Sequence, residues 1–112
     1  VKVLLVDDDP RAAVATLCGL HRAGLLDVVL VCSPEPEQAA ADAVRLLVCC
    51  EFDAVVLDGL EGACRRVLRS PSCPDVAVVH TGEPTRYRRC GAVVVPKPTV
   101  EGVVDALVGR GA

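Results

Sequence analysis

Five short apolar runs, Lys2–Val6, Asp27–Cys32, Asp53–Leu57, Asp75–Val79 and Ala92–Val95, constrain this chain more than any other feature. Each is nearly continuous in Val, Leu and Ala rather than alternating apolar with polar, the pattern of a strand covered on both faces. The intervening segments carry the helical period. Asp9-Pro10 opens the first, with Asp9 as N-cap and Pro10 at the first helical position. Ala13, Val14, Leu17 and Leu20 form its apolar face, and Gly24 ends it. Pro34–Cys50 shows Ala40, Val44, Leu47 and Val48 on one face, and Ala63–Arg69 shows Cys64, Val67 and Leu68. Val100, Val103, Val104, Leu107 and Val108 mark the clearest helix, at the end of the chain, whereas Pro84–Cys90 leaves barely two turns for the helix before it. Buried strands alternating with helices through right-handed crossovers predict a doubly wound α/β sandwich with a five-stranded parallel sheet.

The core of such a sandwich must here be aliphatic, because 52% of the residues are hydrophobic and only 2% aromatic. A length of 112 residues is that of one domain. A net charge of −3 argues against a nucleic-acid surface, and the dense basic cluster, Arg86, Arg88 and Arg89, reads as a solvated face. The seven cysteines are odd in number and lack any C-x-x-C. Most, namely Cys18, Cys32, Cys49, Cys50 and Cys64, sit in apolar runs and read as reduced, small core residues, which suits a cytoplasmic or nuclear protein. His21 and His80 are isolated, without the spacing of metal ligands. No stretch approaches a membrane span, and no charged-then-apolar leader precedes Val1.

In an open parallel sheet, ligands bind outside the carboxyl ends of the strands, where strand order reverses. Asp7, Asp8 and Asp9 follow the first run, Asp58 the third, His80, Thr81 and Gly82 the fourth, and Lys97 the fifth, between Pro96 and Pro98. The second ends in Cys32-Ser33. Lys97 stands out because the chain has two lysines against ten arginines. Carboxylates crowded at one edge repel one another and lose hydration unless a cation joins them. A hard divalent ion, Mg²⁺, meets that need. A metal, an ammonium and a hydroxyl around one carboxylate form a set suited to holding a phosphoryl group.

With these residues in place, the chain resembles, over essentially its whole length, a response-regulator receiver domain of two-component phosphorelays. "VKVLLVDDDP" is similar to the family's opening strand and acidic pair, "FDAVVLD" to its phosphoacceptor strand, "VVHTG" to its switch-threonine strand, and "GAVVVPKP" to its lysine-proline turn. The resemblance implies a flavodoxin-like (βα)5 fold of strand order 2-1-3-4-5 with a short fourth helix, in a single domain over residues 1–112 without an output domain. It implies that Asp58 accepts a phosphoryl group from a phosphohistidine donor and later sheds it by self-dephosphorylation. Asp8 would then ligate Mg²⁺ directly and Asp7 through water, with Asp58 and the backbone carbonyl of Leu60 completing the protein's ligands. Thr81 would move its hydroxyl to the phosphoryl group, and Lys97 would pair with it. The implied partners are a histidine kinase or histidine phosphotransfer protein, with a homodimer or an effector protein as further ones, and neither nucleic acid nor membrane.

The sequence departs from that pattern in three places. "DGLEGACRR" passes from Asp58 almost directly into helix, the intervals Asp58–Thr81 and Thr81–Lys97 are short, and Val94 takes the place of the family's aromatic switch, with Tyr87 out of register. These fall on the face that signals phosphorylation, so acceptance is expected to be better kept than output. Two other functions compete. One is a degenerate receiver acting as a phosphorylation-independent interaction domain. The other is a haloacid-dehalogenase-like phosphatase with Asp7 as nucleophile, disfavoured by Arg11 and by the lack of a late acidic pair or room for a cap.

Overall fold

The structure, a computed structural model, describes residues 1–84, 92–97 and 100–111. Five strands, β1 (Lys2–Asp7), β2 (Asp27–Cys32), β3 (Ala54–Asp58), β4 (Val76–Thr81) and β5 (Val93–Pro96), form one parallel sheet in the order β2-β1-β3-β4-β5. Four α-helices are described: α1 (Pro10–Arg22), α2 (Pro36–Cys49), α3 (Cys64–Leu68) and α4 (Val100–Gly111). The expected short helix at Pro84–Cys90 falls almost wholly outside the described residues, as do Arg86, Tyr87, Arg88, Arg89 and Cys90. Among the described residues no helix is long and apolar enough to cross a membrane.

The apolar runs become strands because both faces of the sheet are covered. Alternate residues of β1 and β3 supply two separate cores. Leu4, Val6, Val55 and Leu57 pack with Ala40, Ala43, Leu47 and Val67 of α2 and α3. Val3, Leu5, Ala54 and Val56 pack with Leu20 of α1 and Val103 and Leu107 of α4. The side-chain period of two therefore decides which helix layer each strand-end residue joins.

The helix boundaries follow local chemistry. Asp9, in extended backbone, accepts a hydrogen bond from the Arg11 amide at 2.9 Å, and Pro10 occupies the first turn. At the other end Leu25 N–H donates to the Leu20 carbonyl and Gly24 N–H to that of His21, closing a Schellman motif around Gly24 at φ +87°. α2 starts two residues later than Pro34 because a proline disfavours helical backbone in the residue before it, and Glu35 is held extended ahead of Pro36.

Two apolar faces lie differently from the sequence expectation. Val14 is 55% and Val48 67% exposed, while Thr16 in α1 and Ala39 and Ala43 in α2 point inward. Each inward arc is rotated by about one residue, which leaves the flanking valine in solvent. The cysteines are also corrected. Of those described only Cys64 is buried, whereas Cys18, Cys32 and Cys49 are exposed, at an outward helix position and at two element ends. All those described are free thiols.

Candidate functional site at the strand ends

The chain leaves β1 for β2 on one side and returns to β3 on the other, so the sheet's switch point lies between the ends of β1 and β3. The register is in phase there: Asp7 pairs with Asp58, and Asp58 with His80. These residues therefore sit on the strand ladder itself and not in the loops beyond it. Equal parity also sends the three side chains to the α1/α4 layer, with Val56 and Val78 behind them.

Asp58 is 1% exposed, and both of its oxygens are engaged. Oδ1 pairs with the Lys97 ammonium. Oδ2 accepts from His80 Nδ1 at 3.0 Å and from the Thr16 hydroxyl at 3.4 Å. Burial by itself would raise the Asp58 pKa, but the hydrogen bonds from His80 and Lys97 and their charge outweigh it and hold the carboxyl below its usual value. Lys97 mirrors this: burial works against the ammonium, yet the bond to Asp58, aided by Asp7 and Asp8, keeps its pKa above the usual range. Its backbone N–H is fixed by the Thr81 carbonyl at 2.8 Å.

Asp7 is in the opposite situation. It is fully buried; Oδ1 accepts from the Asp9 amide at 2.9 Å, but Oδ2 has no partner. Burial pushes its pKa from 3.8 up to about 7; the Asp9 amide and Lys97 oppose the rise, and the charges of Asp58 and Asp8 add to it. Asp8 is half-buried, with its carboxylate lying over Gly59. A Cβ on Gly59 would come within 2.3 Å of Asp8 Oδ1, and φ there is +71°. Glycine is thus required both by backbone conformation and by the approach of the acidic pair.

The remaining expected residues lie on the loop side. Leu60 is buried, and its carbonyl already accepts from Ala63 N–H at 3.0 Å as the chain enters a 3-10 turn, Glu61–Ala63, before α3. Thr81 has the parity of Val79 and faces the other layer, its hydroxyl accepting from the Glu83 amide at 3.0 Å. A cleft of about 220 Å³ runs between these two loops, lined by Leu60, Thr81, Gly82 and Lys97 among others. Asp7, Asp8 and Asp58 do not line it.

The structure therefore brings Asp7, Asp58 and Lys97 together, sets Asp8 against Gly59, and leaves Thr81 and the Leu60 carbonyl in contacts of their own. Sequence reasoning missed His80 and Thr16. His80 had been set aside as isolated, although it ends β4 in step with Asp58; Thr16 is the one polar residue on the inward face of α1. Among the described residues no three side chains of His, Cys, Asp or Glu gather into a metal site. Hard oxygen donors are nevertheless present, in the bare Asp7 Oδ2 and the Asp8 carboxylate beside it, and Mg²⁺ commonly takes one or two carboxylates and keeps water elsewhere. A cation reaching Asp58 would have to displace Lys97 from one oxygen or His80 and Thr16 from the other.

Fold and site together define an open, parallel α/β sheet of order 2-1-3-4-5, with a buried aspartate-lysine pair beside a second aspartate at its switch point. No family model and no curated protein matches the sequence.

Proposed function

We propose that the chain is a phosphorelay receiver that accepts a phosphoryl group on Asp58. The observation that carries this reading is the Asp58–Lys97 pair next to Asp7 at the switch point, where a carboxylate kept ionised faces a mobile cation. An Asp58 oxygen attacks phosphorus of a phosphohistidine donor and forms a P–O bond. The P–N bond breaks and its electron pair returns to the donor imidazole, which leaves neutral when its other nitrogen carries a proton. Lys97, one third exposed, then passes from the carboxylate to the phosphoryl oxygens, and Thr81 turns its hydroxyl from the Glu83 amide toward the same group. Mg²⁺ held by Asp7 and Asp8, with Asp58 and the Leu60 carbonyl as further oxygen ligands, would supply charge neutralisation. In self-dephosphorylation water attacks phosphorus and Asp58 departs as a carboxylate, stabilised by the contacts that already lower its pKa.

A second reading rests on a specific observation. Asp58 is almost wholly enclosed and satisfied on both oxygens, as a structural keystone would be, and this favours a degenerate receiver that works through protein contact. The phosphatase reading requires Asp7 to attack, but burial leaves it near half-protonated at neutral pH and a poor nucleophile. Incubation with acetyl phosphate or a phosphohistidine donor and Mg²⁺, followed by mapping of the modified residue, separates them. Label on Asp58 that disappears in Asp58→Asn supports the receiver, label on Asp7 supports the phosphatase, and no label on a folded chain supports the interaction domain.

A further inference from the structure

His80 is a buried imidazole that the phosphoacceptor chemistry above does not need. It closes β4 in register with Asp58 and donates through Nδ1 to Oδ2, the oxygen that Thr16 also approaches. Two donors on one carboxylate oxygen fill both of its in-plane lone-pair directions. Lys97 holds the other oxygen, so no lone pair of Asp58 is left facing outward for a metal. The far side of the ring is different. Nε2 is buried with no partner, so the imidazole is tied to the site by a single hydrogen bond. The cleft of about 220 Å³ counts His80 in its wall and offers the ring room to leave.

We propose that His80 is a positioning residue that guards Asp58 against metal entry, occupying through Nδ1 the oxygen a divalent cation must take, so that the cation binds Asp58 only by displacing the imidazole. The inference rests on the receiver reading for the identity of the cation. In the metal-free protein the guard keeps the carboxylate neutralised and immobile; on loading, His80 swings off Oδ2 while Lys97 keeps Oδ1. The cost of removing that one hydrogen bond is charged against metal affinity, and removing the donor beforehand returns it.

The test is Mn²⁺ binding to the full chain, followed by the electron paramagnetic resonance of the free ion, for wild type, His80→Asn, His80→Val and Thr16→Val. Asparagine keeps a side-chain N–H donor near the position of Nδ1; valine keeps the strand packing and has none. His80→Val is expected to bind Mn²⁺ about tenfold more tightly, as befits loss of one charge-assisted hydrogen bond, with His80→Asn within about twofold of wild type and Thr16→Val in between. A merely structural histidine would not separate the two His80 variants. Equal or weaker binding by His80→Val, or equal tightening in both His80 variants, overturns the guard and leaves the receiver reading standing. No Mn²⁺ binding by any variant overturns both. If His80→Val loses its circular-dichroism signal, Thr16→Val decides: tightening supports the guard and an unchanged affinity overturns it.

Discussion

Asp7→Asn is expected to stabilise the protein at pH 8 and to leave its stability unchanged near pH 4. In the unfolded chain the carboxyl titrates near 3.8, and in the folded chain burial holds it at about 7. Between these values the folded state keeps a proton that the unfolded state has lost, so wild-type stability falls as pH rises across the window and the penalty is complete above pH 7. The ceiling for that penalty is about 4 kcal/mol, from the 1.36 kcal/mol that corresponds to one pH unit. Local relaxation and water reduce it, and about 1–3 kcal/mol is the expected gain, or a rise in Tm of roughly 4–12 °C for a domain of this size. The substitution suits the site. The amide oxygen continues to accept from the Asp9 N–H, and the amide nitrogen replaces the partnerless Oδ2 with a donor near Asp58.

The measurement is thermal and urea unfolding of both proteins from pH 4 to 8 in the presence of EDTA. The chelator matters because a cation bound by the wild-type carboxylates would stabilise the folded state by mass action and mask the difference. Asp58 does not confound the comparison: its folded pKa is depressed, so its contribution is lost only as pH falls below the range scanned. An Asp7→Asn protein no more stable than wild type at pH 8, or a gain that is constant across pH, would refute the buried-charge reasoning.

Other perturbations test other parts of the site. Lys97→Met is expected to cost more stability at pH 7 than Asp58→Asn, roughly 3 against 1–2 kcal/mol by urea unfolding, because it strands an enclosed carboxylate whereas the released Lys97 ammonium is already 33% exposed. Gly59→Ala should cost about 2–3 kcal/mol, through positive φ together with the collision on Asp8, while Gly24→Ala, at positive φ in open space, should cost about 1 kcal/mol. Gly19→Ala places a Cβ 2.4 Å from Val100 Cγ1 where α1 meets α4; the loss of Tm should be relieved by Val100→Ala, giving a non-additive double-mutant cycle.

The strands and their order were legible because a continuous run of Val and Leu has few other fates in a chain with so little aromatic or alternating pattern. Their ends were read one or two residues short. Asp7, Asp58 and Thr81 are polar, and periodicity alone assigns them to loops, yet the ladder carries through them. That extension is also what hid His80. Once β4 is allowed to reach Thr81, the parity of Val76 and Val78 sends the imidazole to the same layer as Asp58, and in-phase parallel pairing sets it opposite. Thr16 was obscured by the apolar face drawn through Val14, which pointed the helix about one residue away from its true inward arc. The Leu60 carbonyl lay beyond sequence altogether, because its partner depends on the backbone turning at Gly59 and Glu61, both at positive φ.

The two buried aspartates deliver different kinds of testimony about function. Asp58 is satisfied: three donors surround it, its ionised form is favoured, and a protein selected for stability alone would have reason to keep the set. Asp7 is not satisfied. It sits fully enclosed with a bare oxygen, its charge is disfavoured by burial and by its acidic neighbours, and an asparagine would keep its one good hydrogen bond. A buried group retained against its own stability is the usual mark of a site kept for chemistry. Asp7 is therefore the stronger argument that this edge of the sheet binds something positive, and a stabilised Asp7→Asn protein that no longer labels Asp58 would tie that cost to the transfer itself.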